Sequence, residues 1–471
     1  MPSFVRRRRR THCPVCEQTK MCGTYISRCR KGDIYMNLRQ DANQIIKESI
    51  NRVLPDEAVR RVLMGSDLFG KKSGRIYLVA VGKAAWQMAA AAQIILGEKI
   101  TKGIVLTKYG HVRGELPGIT CLEEGHPVPD DGTFRGTEAV LAMTEDLKPE
   151  DTVLFLLSGG GSALFEKPLI PKEELSDITA QLLACGADIV EMNTVRKRLS
   201  AVKGGKFALH CAPAKVFGIV LSDILGDPLD MIASGPAAPD SSTCAEALHL
   251  VEKYQLRISE AARHCLETET PKSLSNVESV ISGSVTELCQ AAAASCRKLG
   301  YEPVLLTDQL SCEAREAGSF LAAIAKTHCG TTKNLAFIAG GETVVHLEGS
   351  GKGGRNQELA LSAAPGLAGM ENAALFSIGS DGTDGPTDAA GGYVDGSTKG
   401  CLAKKGMDIY QILEDNNAYE ALKACDGLIM TGPTGTNVND VAVLLLSAAS
   451  VAETESLRAT QAQDSRSTES A

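Results

Sequence analysis

Lys83 stands directly after the apolar run IYLVAV and one glycine, at the head of the helix-favouring stretch AAWQMAAAA. At the carboxyl edge of a sheet its ammonium could neutralise a phosphate or carboxylate, although a solvated charge is the commoner use of such a place. Ser158, Gly159, Gly160, Gly161 and Ser162 follow a second apolar run, VLFLL. A glycine loop between strand and helix lets backbone N–H groups converge on an anion; the plainer alternative is a tight turn. It is neither a P-loop nor a dinucleotide fingerprint. No GxxxxGK[ST] occurs in the chain, and Leu164 follows where a third glycine would be needed. The stretch NTVRKRLSAVKGG (193–205) adds Asn193, Arg196, Lys197, Arg198 and Lys203. Val195, Leu199 and Val202 share one helical face there, so the cations must largely point elsewhere, as a solvated face or an anion site. Asn193 takes the place of an N-cap.

The acidic candidates lie on similar loops. VLSDILGDP (220–228) ends a strand with Asp223 and adds Asp227; IGSDGTDGPTD (378–388) supplies Asp381, Asp384 and Asp388. Carboxylates on glycine-rich loops suit Mg²⁺, an oxygen-seeking ion that keeps several waters, while Asx turns would use the same residues structurally. Glu342 follows a strand, Arg355 follows glycines and opens a helix, and TGPTGTNVNDV (431–441) holds Asn437 and Asp440. Arginine at such a helix start can grip a carboxylate or phosphate with two parallel bonds. His126 is a weaker candidate base, because Pro127 and Pro129 beside it suggest a structural turn.

Strands and helices must alternate to place these loops together. Strand-like runs at 76–82, 103–107, 153–158 and 216–222 are separated by helical stretches such as 84–96 and 172–190. Alternation resumes with strands at 303–307, 335–341, 343–347, 374–380 and 428–432, and with helices at 311–327 and 356–363. This predicts two α/β domains built on parallel sheets, 36–275 and 276–448, since the chain is looser between 255 and 278. An open α/β sheet binds ligands outside the carboxyl ends of its strands, where all these candidates fall.

Bulk properties restrict the partners. The 471 residues carry a net charge of −8, divided into +7 over residues 1–35 and −15 over the rest. An acidic body argues against a nucleic-acid surface, and no apolar run approaches the ~20 residues that span a bilayer. Fifteen cysteines, mostly single and without a secretory signal, suggest reduced thiols and a cytoplasmic protein. Cys13, Cys16, Cys22 and Cys29 form an incomplete zinc pattern in the basic leader 1–35, which otherwise reads as disordered, as does the polar tail 449–471.

Eight blocks in order, among them VGKAAWQMA, EEGHPVPD, LLSGGGSAL, MNTVRKRLSAVKGGKFA, LSDILGDPLDMIASGP and GSDGTDGPTDAAGG, resemble the class II glycerate kinases, the family with a C-terminal MOFRL domain. The resemblance covers about 36–446 and leaves the leader outside, as an extension or with Met36 as the true start. It implies a Rossmann-like N-terminal domain, a smaller C-terminal MOFRL-type domain and a cleft between them. It also implies ATP-dependent phosphorylation of D-glycerate with Mg²⁺, commonly at the 2-hydroxyl, by a monomer or homodimer. The family's catalytic lysine and arginine fall on Lys83 and Arg355. In this scheme Ser158 to Ser162, Asn193, Arg196, Lys203, Glu342 and Asn437 hold substrate or phosphate. Asp223, Asp381 or Asp384 takes the hydroxyl proton or holds the metal, with Asp223 preferred as base and Asp227, Asp381 and Asp384 as metal ligands. The rivals are hydroxypyruvate reductase, which lacks a GxGxxG here, and a ligand-binding regulator without catalysis.

Overall fold

Six strands form the first sheet: β1 (Ile76–Val81), β2 (Ile100–Lys108), β3 (Ile119–Glu124), β4 (Thr152–Leu157), β5 (Lys215–Leu221) and β6 (Val277–Gly283). In the computed structural model, which describes residues 37–65 and 74–448, they are all parallel, in the order β3-β2-β1-β4-β5-β6. This is the Rossmann strand order, with its reversal between β1 and β4. The unbroken apolar runs of β1 and β4 are buried along their whole length. That pattern belongs to central strands covered on both faces, as the sequence predicted. The leader with its cysteines and the tail lie outside the described residues.

The second sheet departs from the expected parallel arrangement. It contains β7 (Glu302–Leu310), β8 (Leu335–Gly341), β9 (Ala373–Gly379), β10 (Gly391–Asp395), β11 (Leu428–Ile429) and β12 (Asp440–Leu446). Their order is β11-β10-β9-β12-β8-β7, and only β7 and β8 run parallel. Two of these strands, β10 and β12, are absent from the sequence reading; β12 sits centrally between β8 and β9 and opposes both. Its run DVAVLLL directly follows a glycine loop without an intervening helix, so alternation does not signal it. Residues 343–347, expected as a strand, contribute one isolated bridge, Val344 to Glu313.

The expected division at 275 also shifts. β6 lies beyond it yet pairs with β5, so the first sheet runs on to Gly283. The helix Leu38–Arg52 packs against the helix Val285–Lys298, with Lys298 on Glu48 at 2.9 Å and the Tyr301 hydroxyl on Asp41 at 2.8 Å. Arg39 donates to the Leu428 carbonyl. The first described helix therefore belongs with the second sheet, and from Leu38 onward the described chain forms one compact unit.

Candidate active site

The strand reversal between β1 and β4 is occupied by the two loops that the sequence singled out. Lys83 N–H donates to the Gly159 carbonyl at 3.0 Å, Ser158 N–H to Val81 at 3.0 Å, and Ala84 N–H to Ser158 Oγ at 3.1 Å. Gly82 has φ +121°, and a Cβ there would strike Ser158. Gly160 has φ +87°, the left-handed region that disfavours other residues. A Cβ on Gly160 would lie 3.0 Å from His126 Nε2 and 3.2 Å from Lys83 Cε, and one on Gly159 would collide with the Asp223 carboxylate. Lys83, His126 and Asp223 thus border one small space over the glycine loop.

The N–H groups of Gly159, Gly160, Gly161 and Ser162 donate to no acceptor among the described residues. Backbone donors in a half-buried loop require a partner, and an anion fits this one. The helix beyond is only one turn, Gly161–Leu164, so its dipole adds little. Behind it Phe165 packs edge-on to Phe207 with ring centroids 5.1 Å apart, and Phe207 lies 5.2 Å from Phe155. Such pairs add about 0.5–1.5 kcal/mol each beyond area burial and anchor the end of the loop.

Charges around this space are divided. No carboxylate lies within ion-pair distance of Lys83 among the described residues. Burial, then Lys83, Lys108 and His111, pull the His126 imidazole below its usual value. Burial raises the Asp223 carboxyl; Lys83 opposes this and Glu342 adds to it. Asp223 therefore senses both sheets. Their loop edges meet again where a Cβ on Gly435 would lie 2.6 Å from Gln87.

The basic stretch 193–203 is corrected by its surroundings. The helix Ile189–Arg198 is capped by Asp188 with Glu191, so Asn193 lies inside it rather than at its start. Asn193 Oδ1 accepts from Ser234 Oγ at 2.9 Å, and Ser234 meets Ser162 Oγ at 3.0 Å. Asn193 thereby steadies the glycine loop through Ser234, which the sequence reading missed. Lys203, expected on phosphate, is wholly buried against Glu166 at 2.5 Å. Burial pulls it down to about 8 while Glu166 opposes the shift. Lys197 pairs with Asp240 at 2.9 Å, and Arg198 reaches Glu269 at 3.3 Å. The supposed solvated face is a buried ion network. Arg196 is different: among the described residues it makes no ion pair, and its Nε is buried without a partner.

At the second sheet β8 and β9 end where β12 begins, with Asp440 in register with both Gly341 and Gly379. The helix Arg355–Leu367 starts at this edge. Arg355 donates through Nε and Nη2 to Asp440 at 2.6 and 3.1 Å, and through Nη1 to Glu342 at 2.7 Å. Three of its five N–H bonds are thus held by carboxylates of the chain itself, in the forked grip expected of it toward a ligand. Burial pushes the Asp440 carboxyl up to about 6, and Arg355 opposes that rise. A cavity of about 870 Å³ opens here, lined by Glu342, Arg355, Asp381, Asn437 and Asp440.

The predicted metal set is not brought together. Asp384 accepts the N–H groups of Asn356 at 3.1 Å and Gln357 at 2.8 Å, capping the Arg355 helix. Burial still pushes it up to about 7. Asp381 accepts from Thr383 N–H at 2.9 Å within its own turn, and Asp388 accepts from the Tyr419 hydroxyl at 2.8 Å. Asp227, at φ +54°, lies on the loop after β5 with Oδ1 buried and unpartnered. Among the described residues no cluster of three His, Cys, Asp or Glu side chains is placed to hold a metal. The cavity carboxylates suit an Mg²⁺ ion held chiefly by ligand phosphates and water.

The Lys83 ammonium on one loop edge and carboxylates on the edge it meets lie where a two-sheet α/β enzyme keeps its site. Residues 41–267 match the Domain of unknown function (DUF4147) and residues 335–440 the MOFRL family. A D-glycerate 2-kinase from Thermotoga maritima is 53% identical over 416 residues, 87% of this chain and 99% of its own. A crystal structure of a glycerate kinase from Thermotoga maritima aligns with a TM-score of 0.82 at 52% identity, covering 87% of this chain and 99% of that one. A relative from Agrobacterium vitis, 38% identical over 390 residues, 79% of this chain and 100% of its own, carries the provisional name hydroxypyruvate reductase. The chain belongs to the class II glycerate kinase family, the one with a MOFRL domain.

Proposed function

We propose that this chain transfers the γ-phosphoryl group of ATP to the 2-hydroxyl of D-glycerate. The observation that carries the reading is the unpaired Lys83 ammonium beside four free loop N–H groups, with the Asp223 carboxylate across the same space. Phosphoryl transfer needs mainly positioning and neutralisation of charge. Lys83 and the loop from Gly159 to Ser162 neutralise anionic oxygens, and the unpaired Arg196 is a further cation for them. The hydroxyl oxygen of glycerate attacks the γ-phosphorus, the bond to the bridging oxygen breaks, ADP leaves, and the hydroxyl proton passes to Asp223. A carboxyl raised by burial is a better acceptor for that proton than an ordinary one.

Arg355 fixes Glu342 and Asp440 at the cavity and keeps two N–H bonds for substrate. Mg²⁺ would arrive with the nucleotide and be met by Asp381, Glu342 or Asp440; it supplies charge neutralisation on the phosphates. Asn437 lines the same cavity. The test is NMR of the product formed from ATP, Mg²⁺ and D-glycerate. A phosphorus coupling to the C2 proton supports the reading, whereas phosphate on C3 overturns its regiochemistry. NADH formation from glycerate without ATP consumption would favour the reductase.

A further inference from the structure

We propose that His126, with Lys83, forms the carboxylate subsite of the three-carbon substrate, over Gly160. This deepens the kinase reading and rests on it. His126 Nε2 and Lys83 Cε lie 3.0 and 3.2 Å from the point where a Gly160 Cβ would stand, so ring and lysine close over the same glycine and present their polar ends side by side. The Lys83 carbonyl is itself held by His111 Nδ1 at 2.7 Å, which ties the lysine to the loop after β2. The ionisable groups acting on His126 are Lys83, Lys108 and His111, all cationic when charged. An imidazole N–H among such neighbours favours an anion beside it.

The other side of the loop is acidic. Asp223 stands against Gly159, with Glu342 close enough to act on it. A carboxylate is repelled there and attracted to the His126 side. In a 2-hydroxy acid the carboxylate carbon is bonded directly to the carbon bearing the hydroxyl. Seating the carboxylate over Gly160 therefore brings the 2-hydroxyl toward Gly159 and Asp223, whereas the 3-hydroxyl is one carbon farther away. The same contact thus selects both the acid and the position phosphorylated. His126 donates its Nε2–H to a carboxylate oxygen, and Lys83 pairs with the charge.

The test compares wild type with His126→Leu and His126→Gln, each checked for folding by thermal melting. Titration calorimetry of D-glycerate without nucleotide accompanies the kinetics. His126→Leu should raise Kd and KM for D-glycerate by about ten- to a hundredfold and leave KM for ATP within twofold. His126→Gln, which keeps an N–H donor, should recover part of the loss. Glycerol, which lacks the carboxylate, should be an equally poor acceptor with wild type and His126→Leu. A rise in KM for ATP with D-glycerate binding intact would assign the subsite to a phosphate and overturn the proposal. A fall in kcat with unchanged KM and Kd would make the ring a proton carrier and overturn it too. Wild type that neither binds nor phosphorylates D-glycerate would remove the kinase reading itself, a result distinct from wild type that binds and a Leu variant that binds equally well.

Discussion

Adding one methyl group at Gly160 separates the two uses of the glycine loop. At φ +87° an alanine pays about 1–2 kcal/mol for the left-handed backbone. Its Cβ would also stand 3.0 Å from His126 Nε2, 3.1 Å from Cδ2 and 3.2 Å from Lys83 Cε. Those contacts are tight but involve movable side chains, so the methyl pushes Lys83 and His126 aside. Displacing a reacting group by an ångström costs about a hundredfold in rate, equivalent to roughly 2.7 kcal/mol of transition-state stabilisation. Gly186 is the control, since its φ is +74° and nothing lies within 4 Å of its Cβ position. Gly160→Ala should lose at least as much stability as Gly186→Ala by thermal denaturation, since both bear the left-handed backbone and only the first meets neighbours. Only Gly160→Ala should lose kcat/KM, by a hundredfold or more, in a coupled assay of ADP release. Equal kcat/KM in the two variants would refute the idea that the space over Gly160 receives substrate.

Arg355→Lys keeps charge but loses the fork on Asp440; it should cost about 1–3 kcal/mol of stability and at least tenfold in kcat/KM, read by thermal melting and steady-state kinetics. Lys203→Met leaves Glu166 buried and alone and should cost about 3–5 kcal/mol. Adding Glu166→Leu should restore most of that in denaturant titrations, and a wild-type response to Lys203→Met would remove the ion pair from the structural account. Both oxygens of the buried Glu124 carboxyl lack partners, and burial pushes it up to about 8 from the usual 4.5. The native state therefore keeps a proton that the unfolded chain has released. That contribution to stability is full below about 4.5 and is lost as pH rises through 8, at no more than roughly 1.4 kcal/mol per pH unit. Glu124→Gln should flatten this slope in melts from pH 5 to 9. Lys83→Ala should lower kcat/KM by roughly two to four powers of ten, while Tm without ligand holds or rises; a fall in both would place Lys83 in a structural role.

Lys83 and the glycine loop were legible because each follows an unbroken apolar run, and in a parallel sheet the residue after such a run stands at the ligand edge. β12 was hidden because its neighbours in space, β8 and β9, are distant in the chain and run against it. Lys203 was misread for a related reason. Helical spacing shows which face it leaves, but its partner Glu166 lies 37 residues away and is met only after folding. Asn193 looked like a cap until Asp188, five residues earlier, proved to hold Glu191 N–H at 2.8 Å. The acidic loops were misjudged in a third way. Asp384 follows a strand on a glycine loop, as a metal ligand would, yet the helix it serves begins at Arg355, in an earlier part of the sequence. Pro127 and Pro129 after His126 read as a structural turn, although such a turn is also a rigid way to hold a ring over a loop.

The division of charge across the glycine loop gives the free protein a reason to be unsettled there. Lys83 sits just before the N-terminus of the helix Ala85–Leu96, whose first turn carries no acidic residue, so the helix dipole opposes the ammonium. Burial, Lys83 and Lys108 together hold the neighbouring His126 below its usual value. Across the loop Asp223 is raised by burial and by Glu342, while Glu342 and Asp440 share the single guanidinium of Arg355. Joining the two sides into direct ion pairs would relieve both and abolish the space between them. The fold keeps them apart with glycines at 159 and 160, whose Cβ positions are already occupied by Asp223 on one side and by His126 and Lys83 on the other. A ligand carrying an anion at one end and a hydroxyl at the other satisfies both sides at once. Binding such a ligand should therefore raise stability by more than contact area alone predicts, since it relieves unfavourable charge as well as burying surface.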